Sequence, residues 1–287
     1  MTTTVPDSAD TVAALRRDGF AILPGLIDTA LIDDFAAQLA TRLHLPGGGT
    51  PIQRLRAWRP DDQQQIALRT AGYDCDAQHQ ITHHPPLARL MAGLLGGEVW
   101  AQPRRFLRLV PPGPGEWATE PHQDYRYVQG AIDTLTAWIP LHDVGADTSP
   151  LRVVPASHHH GLWPVTDTTS GTLPHPVGLT PGDTRWRPLP LNAGDAVVFH
   201  ALTVHSTLPP TGRAGRISLD MRYQRTDAPL AATALLAPYT CEDPGDPHRW
   251  THDPQLRLPD PLPVVPTTAH RDVTDPDRAT SRFLEAP

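Results

Sequence analysis

Pro121-His122-Gln123-Asp124-Tyr125 and Gly194-Asp195-Ala196-Val197-Val198-Phe199-His200-Ala201-Leu202-Thr203-Val204-His205 are the two stretches on which the reading of this chain turns. In the first, a histidine and an aspartate stand two residues apart. In extended chain such side chains point the same way, so His122 and Asp124 can converge on one ion. The second stretch is an apolar run after a Gly-Asp turn, and it ends in His205, 81 residues beyond Asp124. Two imidazoles and one carboxylate on one octahedral face leave three positions open, the ligand pattern of non-haem iron(II) oxygenases. Alone, a His-x-Asp pair is weak evidence in a chain with 15 histidines. Arg216 strengthens it. It follows His205 by eleven residues, across a Pro209-Pro210-Thr211-Gly212 turn. A buried arginine fork facing the metal is what a dicarboxylate cosubstrate requires; the competing reading is a surface strand residue.

Working outward, residues 99–110, 134–141, 151–154, 187–191, 196–203 and 216–224 read as short strands divided by Pro/Gly turns. That spacing predicts a barrel or double sheet, not βαβ units. The first hundred residues carry helix signals. A short helix is expected over 9–17, then a strand over 20–23. A helix capped by Asp28 or Thr29 presents Leu31, Ile32, Phe35, Leu39 and Leu43 on one face, and another begins at Pro85-Pro86 and closes at Gly96-Gly97. From residue 226 the chain holds 11 prolines in 62 residues. The expectation is one domain over 1–287: a helical buttress (1–97), a β core (98–225) and a Pro-rich C-terminal wrap (226–287). The class is mainly β with flanking helices.

Composition narrows the function. Net charge is −7, and all 24 basic residues are arginines. The absence of lysine removes Schiff-base and P-loop mechanisms, and the acidic balance argues against nucleic acid or an anionic membrane as partner. Cys75 and Cys241 lie in no CxxC motif, as expected of free thiols. No apolar run approaches the ~20 residues of a membrane span. The N-terminal residues lack a signal-peptide pattern, which predicts a cytoplasmic location.

The pattern resembles the phytanoyl-CoA dioxygenase family over most of the chain. Residues 15–26 look like its opening helix and strand, and His122-Gln123-Asp124 matches its metal motif. Residues 151–158 resemble its "G-x-L-x-V-x-P-G-S-H" segment, with Pro150 and Ala156 where glycines are usual. Gly194-Asp195, His205 and Arg216 match the distal half. The resemblance implies a double-stranded β-helix, or jelly-roll. It also implies iron(II) on His122, Asp124 and His205, 2-oxoglutarate as cosubstrate with Arg216 gripping its far carboxylate, and O2 as oxidant. Trp138 matches a tryptophan bordering the cosubstrate and Thr207 a hydroxyl that bonds it, with Gln123 a further contact. Each has a plain competing reading, as core aromatic, turn hydroxyl and exposed amide. Related halogenases carry glycine or alanine where Asp124 stands, so hydroxylation is expected, with desaturation, cyclisation or epimerisation as alternatives.

The partner expected is a small molecule, best a natural-product intermediate. Tyr125, Arg126 and Tyr127 are expected to line the pocket mouth or to form a surface hairpin. Arg108, with Arg104 and Arg105, would meet an acidic substrate or lie at a sheet edge. His200 is expected in the core or behind the ligands, since only His205 gives the spacing to Arg216. His158 fits the family's structural histidine, and His83-His84 a helix start. A zinc hydrolase and a non-catalytic jelly-roll binding protein are the readings from other classes.

Overall fold

The structure, a computed structural model, describes residues 8–112, 118–165, 176, 178–235, 255–269 and 272–284. Helices α1 (Ser8–Asp18), α2 (Thr29–Arg42), α3 (Pro51–Ala57), α4 (Asp62–Tyr73), α5 (Asp76–Thr82) and α6 (Pro85–Leu95) precede most of the strands. Local chemistry fixes their starts. Asp28 caps α2 by accepting from the Ala30 amide, and Pro85 and Pro86 open α6. The helices α3 and α4 were not expected, although Thr50 with Gln53 and Asp61 with Gln64 form the reciprocal capping boxes that start them. Gly96, at φ 70°, ends α6 in the left-handed conformation that glycine adopts without a Cβ clash.

The principal sheet has strand order β1 (Phe20–Leu23), β7 (Ala196–His200), β4 (Leu135–Pro140), β9 (Arg216–Arg225) and β2 (Val99–Ala101), with β3 (Phe106–Val110) also on β9. Every pairing is antiparallel. A second sheet, β6 (Arg187–Pro188), β5 (Arg152–Val153) and β8 (His205–Ser206), is antiparallel too. The expected strand 99–110 is therefore two. Pro103, without an N–H, falls in the break between them. The expected strand 187–191 shortens to two residues because Pro188 and Pro190 cannot donate. The Leu189 amide still donates to the Leu151 carbonyl, and Leu191 and Val144 exchange a reciprocal pair of bonds.

Both faces of the large sheet are covered. Leu135, Ala137, Ile139, Val198, Ile217, Leu219, Met221 and Tyr223 join one core with Ile32, Phe35, Leu39, Leu68, Leu90 and Leu94 of the helices. Phe20, Trp138, Val197 and Phe199 pack on the other side against Leu151, Val153 and Leu189 beside the small sheet. This explains the near-continuous apolar strands: both sides of the pleat are buried. In the C-terminal segment, β10 (Leu230–Ala231) pairs in parallel with β11 (Val264–Val265). Phe283 is buried in the helical core, and Asp133 accepts from the Ser281 hydroxyl and the Arg282 amide. No helix among the described residues is long and apolar enough to cross a membrane.

Candidate metal centre and adjoining cavities

His122 and His205 face each other across an antiparallel bridge, each amide donating to the other's carbonyl at 3.0 Å. Their ring centroids lie 4.2 Å apart. The Nδ1 of His122 meets the Glu120 carbonyl at 2.7 Å, and that of His205 meets the Thr203 carbonyl at 3.0 Å. A carbonyl can only accept, so each Nδ1 carries the proton and each Nε2 keeps its lone pair for a metal. Asp124 Oδ1 lies 3.6 Å from His122 Nε2 and 3.9 Å from His205 Nε2. Among the described residues this trio is the only such cluster of potential ligands, with donor atoms within 4.8 Å of one another, and all three residues are buried.

The route to convergence differs from the one expected. Asp124 is not extended: with φ −57° and ψ −34° it leads into a single helical turn, α7 (Tyr125–Val128). The Tyr127 and Val128 amides bond back to its carbonyl. Its carboxylate is clasped by Arg222, whose Nη2 donates to Oδ1 at 2.8 Å and Nε to Oδ2 at 3.1 Å. The Thr136 hydroxyl adds a bond to Oδ2 at 2.7 Å. Burial pushes the carboxyl pKa up, but the Arg222 charge and the bonds from Arg222 outweigh it and hold it well below the usual range. Burial, and then neighbouring His122, press the His205 imidazole down to about 3, so it stays neutral and able to ligate.

Beside the trio a narrow cleft of about 10 Å³ runs to Arg216, lined also by Trp138, Thr207, Leu151 and Asp220. Arg216 is fully buried. Its Nη1 donates to the Ser149 carbonyl at 3.2 Å, and its Cζ lies 5.7 Å from the Trp138 ring centroid. Its Nε and Nη2 have no hydrogen-bond partner among the described residues. Burial draws the guanidinium pKa down to about 10. A buried cation with two vacant donors is costly unless an anion completes it, which is the fit a dicarboxylate end requires.

On the other side of His122 and Asp124 lies a cavity of about 280 Å³, lined by Gln102, Arg104, Phe106, Arg108, Thr119, Tyr127, Val128, Arg222 and Ala234. Arg108, in ion pair with Asp220, borders both spaces. Of the three residues expected at the mouth, only Tyr127 reaches the cavity. Tyr125 packs with Ile132, Ala201 and Leu202, and Arg126 donates to the Trp163 carbonyl. A helical turn fans its side chains about 100° apart, where a hairpin would have kept Tyr125 and Tyr127 on one side. Gln123 is also corrected: it is buried, donates to the Gly161 and Leu202 carbonyls and accepts from the Trp163 amide, tying loops together away from the cleft. Thr207 lines the cleft, but its hydroxyl already accepts from the Thr119 amide.

Arg105 points away from the cavity, to His79 and the Tyr73 ring. His200 is buried 3.3 Å from Asp133, and His158 is buried against Gly19, where an added Cβ would stand 2.6 Å from its ring. Sequence reasoning overlooked Arg222, Asp220 and Thr136. The sign of the first two was the strict alternation of residues 216–224, Arg-Ile-Ser-Leu-Asp-Met-Arg-Tyr-Gln, which sends every polar residue to the site face.

Residues 15–218 match the phytanoyl-CoA dioxygenase (PhyH) family. This chain belongs to the phytanoyl-CoA dioxygenase family. Among curated relatives, the 1-deoxypentalenic acid 11-beta-hydroxylase of Streptomyces arenae is 26% identical over 260 residues, covering 82% of this chain and 91% of that protein. The L-proline trans-4-hydroxylase of Streptomyces griseoviridis is 29% identical over 216 residues, covering 67% and 73%. The crystal structure of the epimerase SnoN with Fe3+, alpha-ketoglutarate and nogalamycin RO superposes with a TM-score of 0.58 at 25% identity, over 83% of this chain and 93% of that one. As a family member the chain is an oxidoreductase, an iron- and 2-oxoglutarate-dependent dioxygenase that uses O2.

Proposed function

We propose that the chain hydroxylates a small acidic natural-product intermediate in the 280 Å³ cavity, with His122, Asp124 and His205 holding the iron. The observation that carries this reading is the pairing of two spaces on one ligand trio, one ending in the vacant donors of buried Arg216 and the other roomy and partly apolar. When bound, iron(II) and 2-oxoglutarate together supply O2-dependent oxidation of the substrate, with release of succinate and CO2. The residues do the placing. His122 and His205 present Nε2 because their Nδ1 protons are committed to carbonyls. Arg216 and Trp138 receive the far carboxylate of 2-oxoglutarate, and Thr207 borders it.

Four arginines, Arg104, Arg108, Arg216 and Arg222, face two aspartates, Asp124 and Asp220, across the two spaces, which favours an anionic guest. Phe106, Val128 and Ala234 give its body an apolar wall. Both curated relatives named above act, by their names, on carboxylic acids. Epimerisation is a second outcome, favoured by the likeness to SnoN. The two facing sheets support a double-stranded β-helix, within one domain over the whole chain.

The experiment is succinate release with iron(II), O2 and a panel of terpenoid and amino-acid carboxylic acids, against their methyl esters. Iron-dependent succinate coupled to an oxidised acid is the expected result. Zinc-dependent hydrolysis of an ester, with no succinate from any candidate, would refute it.

A further inference from the structure

The strand β9 sends Arg216, Ser218, Asp220, Arg222 and Gln224 toward the site, while Ile217, Leu219, Met221 and Tyr223 enter the helical core. Arg216 has vacant donors, whereas Arg222 has spent its fork on a residue of the ligand trio. Their difference assigns them different work. A carboxylate oxygen offers two in-plane acceptor directions. At Asp124, Oδ2 receives both the Thr136 hydroxyl and Arg222 Nε, whereas Oδ1 receives Arg222 Nη2 alone. Oδ1 is also the oxygen nearest the two imidazole Nε2 atoms. The carboxylate thus has one open acceptor direction, on the oxygen that faces the histidines.

From this we infer that Arg222 is a positioning residue which, with Thr136, limits Asp124 to one-oxygen ligation and holds a fixed positive charge behind the metal. The inference rests on the trio being the metal site. The chemistry gives the clasp a purpose. A carboxylate that bound through both oxygens would consume one of the three positions that a facial triad leaves open. An arginine pinned on the far oxygen prevents this without occupying a position itself. The guanidinium also draws charge from the carboxylate, so metal is held less tightly than an unclasped Asp124 would hold it. Arg222 is only 4% exposed, and its Cζ stands 5.0 Å from the Phe106 ring centroid in the wall of the larger cavity. The same side chain lines, together with Asp124, the space assigned to the substrate. Fork geometry and charge are separable properties, since lysine keeps the charge and loses the fork.

Mn(II) alone serves as probe, because bound Mn(II) relaxes the protons of each exchangeable water it carries. In the wild-type chain, relaxivity per bound Mn(II) should correspond to about three waters. Arg222→Met should lower it by about a third as the second oxygen binds, and should tighten Mn(II) at least tenfold. Arg222→Lys should show the same fall in relaxivity with affinity near wild type. Thr136→Val, nearly isosteric, frees one direction of Oδ2 and should lower relaxivity in part. It stands as the independent test if Arg222→Met does not fold, as judged by circular dichroism. Wild-type relaxivity in every folded variant would overturn the inference. So would a tenfold or greater loss of Mn(II) affinity in folded Arg222→Met, since Arg222 would then present Asp124 and not limit it. Failure of the wild-type chain to bind Mn(II), or undiminished binding by His205→Ala, would instead strike the metal-site reading itself.

Discussion

Replacing Arg216 by methionine tests the cosubstrate reading most sharply, because it predicts opposite effects on binding and on stability. The guanidinium is fully buried and bonded only to the Ser149 carbonyl among the described residues, with Nε and Nη2 vacant. Burial draws its pKa from the ordinary 12.5 to about 10. At pH 7, below both values, the group is charged in the folded and unfolded chain, so the whole cost is present. It is about 3 kcal/mol, taking 1.36 kcal/mol for each tenfold change in proton affinity. A methionine of similar length fills the space without that cost and loses one charge-assisted hydrogen bond worth about 1.5–3 kcal/mol. The protein without 2-oxoglutarate should therefore be as stable as wild type, or more stable by up to about 1.5 kcal/mol. Truncating one partner of a desolvated charge pair costs about 2–5 kcal/mol of binding, so 2-oxoglutarate affinity should fall by about thirtyfold to a few thousandfold. Isothermal titration of the metal-loaded protein and chemical denaturation of the free protein measure the two sides. Unchanged 2-oxoglutarate affinity, or a free protein destabilised by about 3 kcal/mol or more, would make Arg216 a structural residue.

Asp124→Gly should lose both iron retention and succinate-coupled oxidation; product formation near the wild-type rate with iron bound would sink the ligand assignment. His205→Ala should release the metal at unchanged fold. His200→Ala should keep it and lower the melting temperature instead, because His200 sits against Asp133, which also anchors Ser281 and Arg282; metal content of the purified variants decides. Acid should unfold the chain early. Burial, and then Arg56, press His142 down to about 4, and burial, then His200, press His158 down to about 3. With folded values below the unfolded ~6.5, this contribution is complete above pH 6.5 and is lost as pH falls through 6.5 toward 4. By pH 5 each histidine costs about 2 kcal/mol. Denaturation midpoints equal at pH 7.5 and pH 5 would contradict it.

The sequence determined the ingredients and their local order. Alternating or doubly apolar strands, the Asp28 cap and the Pro85–Gly96 helix follow from nearest-neighbour chemistry, and the chain's own spacing singled out His122, Asp124, His205 and Arg216. The helices α3 and α4 were legible in their capping boxes, and α5 was not, since Cys75 gives it no side-chain cap. Tertiary structure decided where each side chain points. Whether Asp124 reaches His205 depends on a bridge between residues 83 apart and on a helical turn that no local pattern announces. That turn took Tyr125 and Arg126 away from the cavity and left Tyr127 in it. Gln123 sits between two candidate ligands, yet its amide went to the Gly161 and Leu202 carbonyls, because a buried amide must satisfy its donors wherever carbonyls stand open. The clasp of Arg222 on Asp124 joins residues 98 apart. Alternation along β9 fixed the face that Arg222 would take, but only the packing of the chain brought Asp124 under its fork, because period-two geometry assigns a side and cannot assign a neighbour.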